Sequence, residues 1–495
     1  MIILEIVLII YLCISVTAIW LYAVLGVSYF VTLLAFLHLL SKDTNPEYKI
    51  TWSVIIISVP LVGTLLYLLF YNRRISRREA RLLVSSISEM RCHGVFTDEF
   101  ENLKSEFPSA CGKARAIMND DVMAEVYGGT RAEYFDLGED YFNSLIADLE
   151  AAKRCIFLEY YIIDEGKLWS KIYKILREKA ALGIDVRVLY DDIGCMHTLP
   201  RHYERELRAH GILASRFAKI TPRVSAVHHN RDHRKICVID GKIGYTGGVN
   251  IADEYVNLIS KFGHWKDGGI RLEGSAVCGL TKLFLSSWDV TAKTISDYST
   301  LLALATPSES ADEGYYIPFG SGPAPIYKRP VGKNAFLNLI NQAESYVYIT
   351  TPYLIIDYEL TESLCNAALR GVDVRIITPG IADKKIINMM TKSSYPHLLE
   401  AGVKIYEYAP GFIHEKVFVA DDSYAVVGTV NFDFRSLVHN FECAVWMYRS
   451  KAVLQVKEGF AKTLKLSNRV DRENLTLTPT EWIFKNGIKL FAPLL

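Results

Sequence analysis

Two stretches of the chain, HRKICVIDGKIGYTGGVN from His233 and HEKVFVADDSYAVVGTVN from His414, carry the same residue types at the same offsets. Each has a His, a Lys two residues on, an Asp five further, then Gly, a small residue, one free position and Asn. His233, Lys235, Asp240, Gly247 and Asn250 stand against His414, Lys416, Asp421, Gly428 and Asn431. Such agreement marks a duplicated half-site. His and Lys at i and i+2 of an alternating apolar segment project from one face of a strand, so imidazole and ammonium enter one cleft. Asn250 and Asn431 follow small residues just past a second strand, where the backbone can approach a ligand and the amide can donate to an anionic oxygen. Asp240 and Asp421 complete the motif. Asp240-Gly241, however, lies between two β-branched apolar runs and is a hairpin-turn signal, so the expected job of both Asp residues is structural.

Paired His, Lys and Asn suit a phosphodiester. One imidazole attacks phosphorus while the other, protonated and across the cleft, gives its proton to the departing alkoxide. Two Lys and two Asn around the equatorial oxygens stabilise the developing charge, and neither copy suffices alone. Each His also needs a carboxylate to fix its tautomer. A zinc site at His228, His229 and His233 is the rival, but no Cys or carboxylate falls at metal-ligand spacing; neither metal nor cofactor is expected.

The elements that must hold these residues read as two α/β repeats. In the first, an amphipathic helix (Tyr141, Phe142, Leu145, Ile146, Leu149) leads to strand CIFLEYYII, a helix over 168–182 and strand IDVRVLYDD. In the second, a helix around 333–343 leads to YVYITTPYLI, a helix over 359–370 and VDVRIITPG. GIDVR (183–187) and GVDVR (371–375) are near-identical, and two repeats packed face to face follow. The first repeat is expected over 121–310 and the second over 311–495, with the boundary in TPSESADEGYY (306–316).

The doubled HxKx4Dx6G(S/G/T)xN signature resembles that of the phospholipase D superfamily, and the match narrows to the bacterial cardiolipin synthases. The supporting stretches are LEYYIID (158–164), VRVLYDDIG (186–194), TGGVNIADEY to WKDGGIRLEG (246–274), TTPYLIID (350–357), GTVNFDFRS (428–436) and the closing APLL. The resemblance implies a pseudo-dimer of phospholipase D-like α/β repeats behind N-terminal transmembrane helices. It implies His233 as nucleophile, forming a phosphohistidine, and His414 as acid and then base, an order the sequence alone leaves open. It places Glu442 and Asp267 where members of the superfamily keep the carboxylates that orient the histidines; Glu254 and Asp192 are weaker candidates. The implied reaction moves a phosphatidyl group from one phosphatidylglycerol to the glycerol hydroxyl of another. The same residues would also serve a membrane-anchored hydrolase, either a phospholipase D or a nuclease. A scaffold without activity is disfavoured by two undegraded motifs.

Length and charge agree with this. The 495 residues leave room for a membrane anchor and two domains, and 55 basic against 55 acidic residues give no global basic field for nucleic acid. Cys13, Cys92, Cys111, Cys155, Cys195, Cys237, Cys278, Cys365 and Cys443 are dispersed and read as reduced thiols. Residues 1–71 are the expected anchor, of two or three helices. Glu5 is the only formal charge in 1–40, twice the ~20 residues one span needs, so two joined spans are expected there, turning near Trp20, Tyr22, Gly26 and Ser28. A further span runs from Trp52 to Tyr71. A basic juxtamembrane connector (72–120) opens with Arg73, Arg74, Arg77, Arg78 and Arg81, which by the positive-inside rule puts the catalytic repeats in the cytoplasm of a bacterium, beneath its plasma membrane. Three spans are favoured, with the N-terminus outside. The partners expected are the bilayer and phospholipid substrates, with no nucleic acid; the sequence does not fix the oligomeric state. The apolar C-terminus (482–495) is expected to pack on the second repeat.

Overall fold

The computed structural model describes residues 2–71, 77–93, 98–121, 123–219, 230–324, 326–475 and 487–494. They form two compact units, the N-terminal helices with the C-terminal turn, and everything between. Among the expected features, Arg73, Arg74, His228, His229 and residues 482–486 lie outside the described residues.

The helical unit departs from the expectation of two joined spans in 1–40. A single helix, Ile2–Leu40, runs through Trp20, Gly26 and Ser28 without a turn. One glycine and no proline leave nothing to break it. Within it Trp20–Leu40 is long and apolar enough to cross a membrane. The expected span from Trp52 is instead two shorter helices, Pro46–Ser58 and Pro60–Phe70. Pro60 cannot continue the hydrogen-bond ladder and biases Val59 away from helical geometry. The kink brings residue 63 so close to Ile55 that a Cβ there would sit 2.2 Å from the Ile55 carbonyl oxygen, which only glycine allows. Polar contacts tie the helices together: Thr32 to Thr64 at 3.0 Å and His38 to Tyr67 at 2.7 Å. The C-terminus also departs from expectation. Thr51 Oγ1 donates to Leu490 O at 2.6 Å, and Leu494 packs against the cluster that holds Trp52 and Tyr67, so 487–494 lies on the N-terminal helices.

In the other unit each repeat builds one sheet, and the strand orders match position for position. The first runs Thr130–Phe135, Gly269–Gly274, Ile243–Gly247, Lys235–Ile239, Cys155–Tyr160, Asp185–Asp191, Leu213–Phe217. The second runs Tyr315–Ser321, Glu442–Tyr448, Tyr424–Gly428, Val417–Ala420, Tyr346–Thr350, Asp373–Pro379, Lys404–Tyr408, with Ser467–Arg469 added at the edge. The last three strands of the first list are parallel, as are their counterparts; the others pair antiparallel. Alternation sorts side chains between two cores. Ile236, Val238, Phe157 and Leu189 enter a core that also holds Val347, Val417 and Val419 of the second repeat. Cys237, Ile239, Ile156 and Val188 enter a second core, under the first repeat's outer helices. Among the described residues, seven cysteines are buried free thiols. The expected connector is also packed structure: in helices Arg77–His93, Glu99–Glu106 and Pro108–Asp120, Met90, Leu103 and Ala114 join the shared core.

Asp240 and Asp421 hold the hairpins that carry the motifs. Both adopt left-handed φ, +53° and +52°, a conformation Asp tolerates in turns. Asp240 accepts from the backbone N–H groups of Lys153, Arg154 and Cys155 (2.9, 2.6 and 3.0 Å). Asp421 does the same for Glu344, Ser345 and Tyr346 (2.9, 2.8 and 2.9 Å). Each carboxylate ties its hairpin to the start of the neighbouring strand. Asp240→Ala leaves those donors unmatched and should lower unfolding free energy by roughly 1–3 kcal/mol, read by denaturant titration of the detergent-solubilised protein. The folded variant should keep turnover within severalfold of the parent; a loss like that of a histidine variant would contradict the structural role.

Candidate active site

His233 and His414 each stand just before a strand, at the end where the parallel strands finish, since Tyr160 pairs with Lys235 and Thr350 with Val417. Ligands of open α/β sheets gather at such ends. Each histidine is held by the opposite repeat. The His233 N–H donates to Phe441 O at 2.8 Å, and the His414 N–H to Lys266 O at 2.8 Å. The next residue in each case supplies the carboxylate: His233 Nδ1 lies 2.9 Å from Glu442 Oε2, and His414 Nδ1 lies 2.7 Å from Asp267 Oδ2. A neutral imidazole donating through Nδ1 keeps the lone pair on Nε2, the nitrogen left for a substrate.

The carboxylates are supported differently. Glu442 Oε2 also accepts from Thr429 Oγ1 at 2.5 Å, and Asp267 Oδ1 accepts from its neighbour Gly268 N–H at 2.8 Å. Thr429 and Gly248 are the same motif position. A Cβ at Gly248 would sit 2.1 Å from Asp267 Oδ1, so the shorter acid excludes the side chain that the longer one uses. The sequence reading treats this position only as small; Thr in one copy and Gly in the other was the available signal.

Lys235 Nζ donates to His233 O at 2.6 Å, and Lys416 to His414 O. Lys416 Nζ is also 2.8 Å from His414 Nδ1, but two donors share no hydrogen bond; Asp267 orients that ring and the lysine acts as a charge. Burial lowers Lys235 to about 8 and Lys416 to about 7, the latter lowered further by Lys235. His233 is pushed well below the usual imidazole range by burial, then by Lys235, Lys416 and Arg435. His414 falls to about 4 through burial and Lys416, with Asp267 opposing. Each histidine feels the lysine of the other copy, so the half-sites share one field. Burial lifts Glu442 to about 7; it would lift Asp267 too, but His414 and Lys416 pull that carboxyl below its ordinary range.

The remaining expected residues divide. Asn250 and Asn431 are buried at the site, with different surroundings. Asn250 Oδ1 accepts from Ile162 N–H at 3.1 Å and its Nδ2 donates to Tyr255 OH at 2.7 Å, whereas Asn431 Oδ1 has no hydrogen-bond partner among the described residues. Asp240 and Asp421 are not with the histidines. Seven residues of extended chain separate Asp240 from His233, on the order of 20 Å, so both lie at the far ends of their strands. Glu254 lies 3.3 Å from Lys261, and Asp192 pairs with Arg216 at 2.9 Å; the carboxylates on His233 and His414 are Glu442 and Asp267 instead. Asp191, its neighbour, forms a fully buried pair with Arg231 at 2.7 Å and accepts from Asp232 N–H, fixing the chain that enters His233. Sequence reasoning missed Asp191 and also Tyr161, whose ring is 5.1 Å from that of His233.

Residues 145–260 and 336–464 match the family described as cardiolipin synthase, PLD-like domain, and residues 30–70 match the phospholipase D-nuclease N-terminal family. A cardiolipin synthase of Geobacillus sp. is 33% identical over 92% of this chain and 90% of its own length. The chain belongs to the cardiolipin synthase family. Another relative, an uncharacterized protein of Streptococcus mutans, is 41% identical over 93% of this chain and 99% of its own. Among solved structures, phosphatidylserine synthase of Haemophilus influenzae aligns with a TM-score of 0.58 at 16% identity, covering 78% of this chain and all of that one. It shares the fold.

Two outcomes test the geometry. Glu442→Gln and Asp267→Asn should each lower kcat roughly 10- to 100-fold with unfolding unchanged, because each removes the negative charge that orients a ring and stabilises its protonated form. The lysines are charged below their pKa and neutral above it. We therefore expect kcat/KM to fall as pH rises through about 7 to 8. A plateau reaching the ordinary lysine range would contradict the burial.

Proposed function

We propose that the protein makes cardiolipin by transferring a phosphatidyl group between two phosphatidylglycerol molecules through a phosphohistidine on His233. The observation that carries this is the pair of imidazoles, each with Nδ1 on a buried carboxylate of the other repeat, beside two lysines. Nε2 of His233 attacks phosphorus; the P–N bond forms as the P–O bond to glycerol breaks. His414, protonated from solvent as the anionic phosphodiester enters beside it, gives that oxygen its Nε2 proton, and glycerol leaves. The free hydroxyl of a second phosphatidylglycerol then loses its proton to His414 and attacks phosphorus, returning His233 to its starting state. One phosphodiester replaces another, so the transfer is near-balanced and reversible.

The surroundings favour this order of the histidines. Burial and three cations keep His233 neutral and nucleophilic, whereas Asp267, held ionised, stabilises the imidazolium His414 becomes. Lys235, Lys416 and Asn431 are the groups that would meet the phosphate oxygens. The reading places the repeats at the cytoplasmic face of a bacterial plasma membrane, held by more than one span, where phospholipids are the esters within reach.

Full-length protein in phosphatidylglycerol vesicles should produce cardiolipin and glycerol, resolved by mass. Phosphatidic acid without cardiolipin would instead identify a hydrolase. His233→Ala should abolish turnover by at least about a thousandfold. His414→Ala, quenched in denaturant at mildly alkaline pH, where the P–N bond survives, and digested, should still carry a phosphatidyl-modified peptide at His233 when given a substrate whose leaving alcohol needs no proton. Modification at any other residue would overturn the assignment.

A further inference from the structure

Two loops of different repeats meet beside His414. The first, 257–263, is clamped at its base, where Asn257 accepts from Trp265 N–H at 2.7 Å and donates to Trp265 O at 3.0 Å. Its tip exposes two consecutive aliphatic side chains, Leu258 (54%) and Ile259 (52%). The second, 380–386, which runs into the first turn of the helix Lys385–Ser393, exposes Ile381 (42%) and Ile386 (53%). They touch: Ile381 N–H donates to Gly411 O at 3.1 Å, residue 411 bridges residue 263, and a Cβ on Gly263 would lie 3.1 Å from Ile381 Cδ1. Beneath them an aromatic cluster leads to the site. Phe262 packs on Trp265 and Phe412, whose rings lie 5.7 and 5.9 Å from that of His414.

Single exposed aliphatics are ordinary, but four on two adjoining loops make a patch, and such patches mark contact with a partner. The charges beside it choose the partner. Lys384 and Lys385 are exposed and form no ion pair among the described residues. Lys261 lies 3.3 Å from Glu254, and the nearby acid Asp383 is engaged by Tyr353 OH at 2.6 Å. Aliphatic tips flanked by free ammonium groups fit the boundary between acyl chains and anionic headgroups.

We infer that loops 257–263 and 380–386 form a rim that docks the mouth of the site onto an anionic leaflet. Leu258, Ile259, Ile381 and Ile386 enter the acyl boundary while Lys384 and Lys385 meet lipid phosphates. This deepens the lipid-transfer reading and rests on it: the rim would let a phosphodiester pass from the bilayer to the His414 side of the cleft without crossing water.

The test uses the full chain in nanodiscs of phosphatidylglycerol and of phosphatidylcholine, and in neutral detergent, followed by hydrogen–deuterium exchange. Slower exchange over 257–262 and 381–387 in phosphatidylglycerol than in either other medium is expected. Leu258→Ser with Ile259→Ser, and separately Lys384→Glu with Lys385→Glu, should remove that protection. Both should cut transfer in phosphatidylglycerol bilayers by roughly tenfold and leave transfer between short-chain lipids dispersed in detergent within about twofold. Exchange equal in all three media, equal losses on bilayer and dispersed lipid, or protection in detergent that grows with protein concentration, as a second copy on the patch would give, would each overturn the inference. Exchange reads the docking even if the parent protein transfers nothing, so failure of the rim and failure of the transfer reading are distinguishable.

Discussion

Each imidazole is oriented by a carboxylate that its own repeat does not possess. His233 leans on Glu442 and His414 on Asp267, and the backbone N–H of each histidine bonds the residue preceding the other repeat's acid. The ring positions therefore depend on how the two sheets dock. That docking is fixed by the shared core, in which Ile236 and Val238 of one motif strand join the same apolar cluster as Val417 and Val419 of the other. Because interiors pack densely, a shift of one sheet would be felt at both histidines together.

Within this symmetry the copies have diverged where the chemistry would ask it. The longer acid Glu442 is braced by Thr429, while the shorter Asp267 abuts Gly248. Four residues after the motif Asn stands Glu254 in one copy and Arg435 in the other, and five after it Tyr255 and Ser436. Tyr255 OH occupies Asn250, whereas the Asn431 oxygen has no partner among the described residues. The result is one half-site rich in positive charge around His233 and one with a firmly ionised acid behind His414. Such a division suits two imidazoles with different tasks at one phosphorus.

The doubled motif made much of this legible from the chain alone. Spacing put His and Lys together, alternation marked their strands, and an Asp-Gly turn pointed Asp240 away from chemistry. Those signals are local, and local geometry decided them. The tertiary ones were harder. Asp191 and Arg231 are forty residues apart and become a pair only after folding. The unbroken helix Ile2–Leu40 was misread because an apolar run twice a bilayer's thickness suggests a turn, yet nothing in it breaks a helix. At the other end, an amphipathic tail names no partner, and its described residues lie on the N-terminal helices.

The reciprocal pairing is most directly examined by 15N magnetic resonance of the histidine-labelled full chain in bilayers, with the two rings assigned by substitution. In phosphatidylcholine bilayers free of substrate lipid, both should show a proton on Nδ1 and a bare Nε2 at neutral pH. Glu442→Gln should move the signals of residue 233 alone, and Asp267→Asn those of residue 414 alone. Signals that respond to the acid of their own repeat, or to neither acid, would contradict the crossed arrangement.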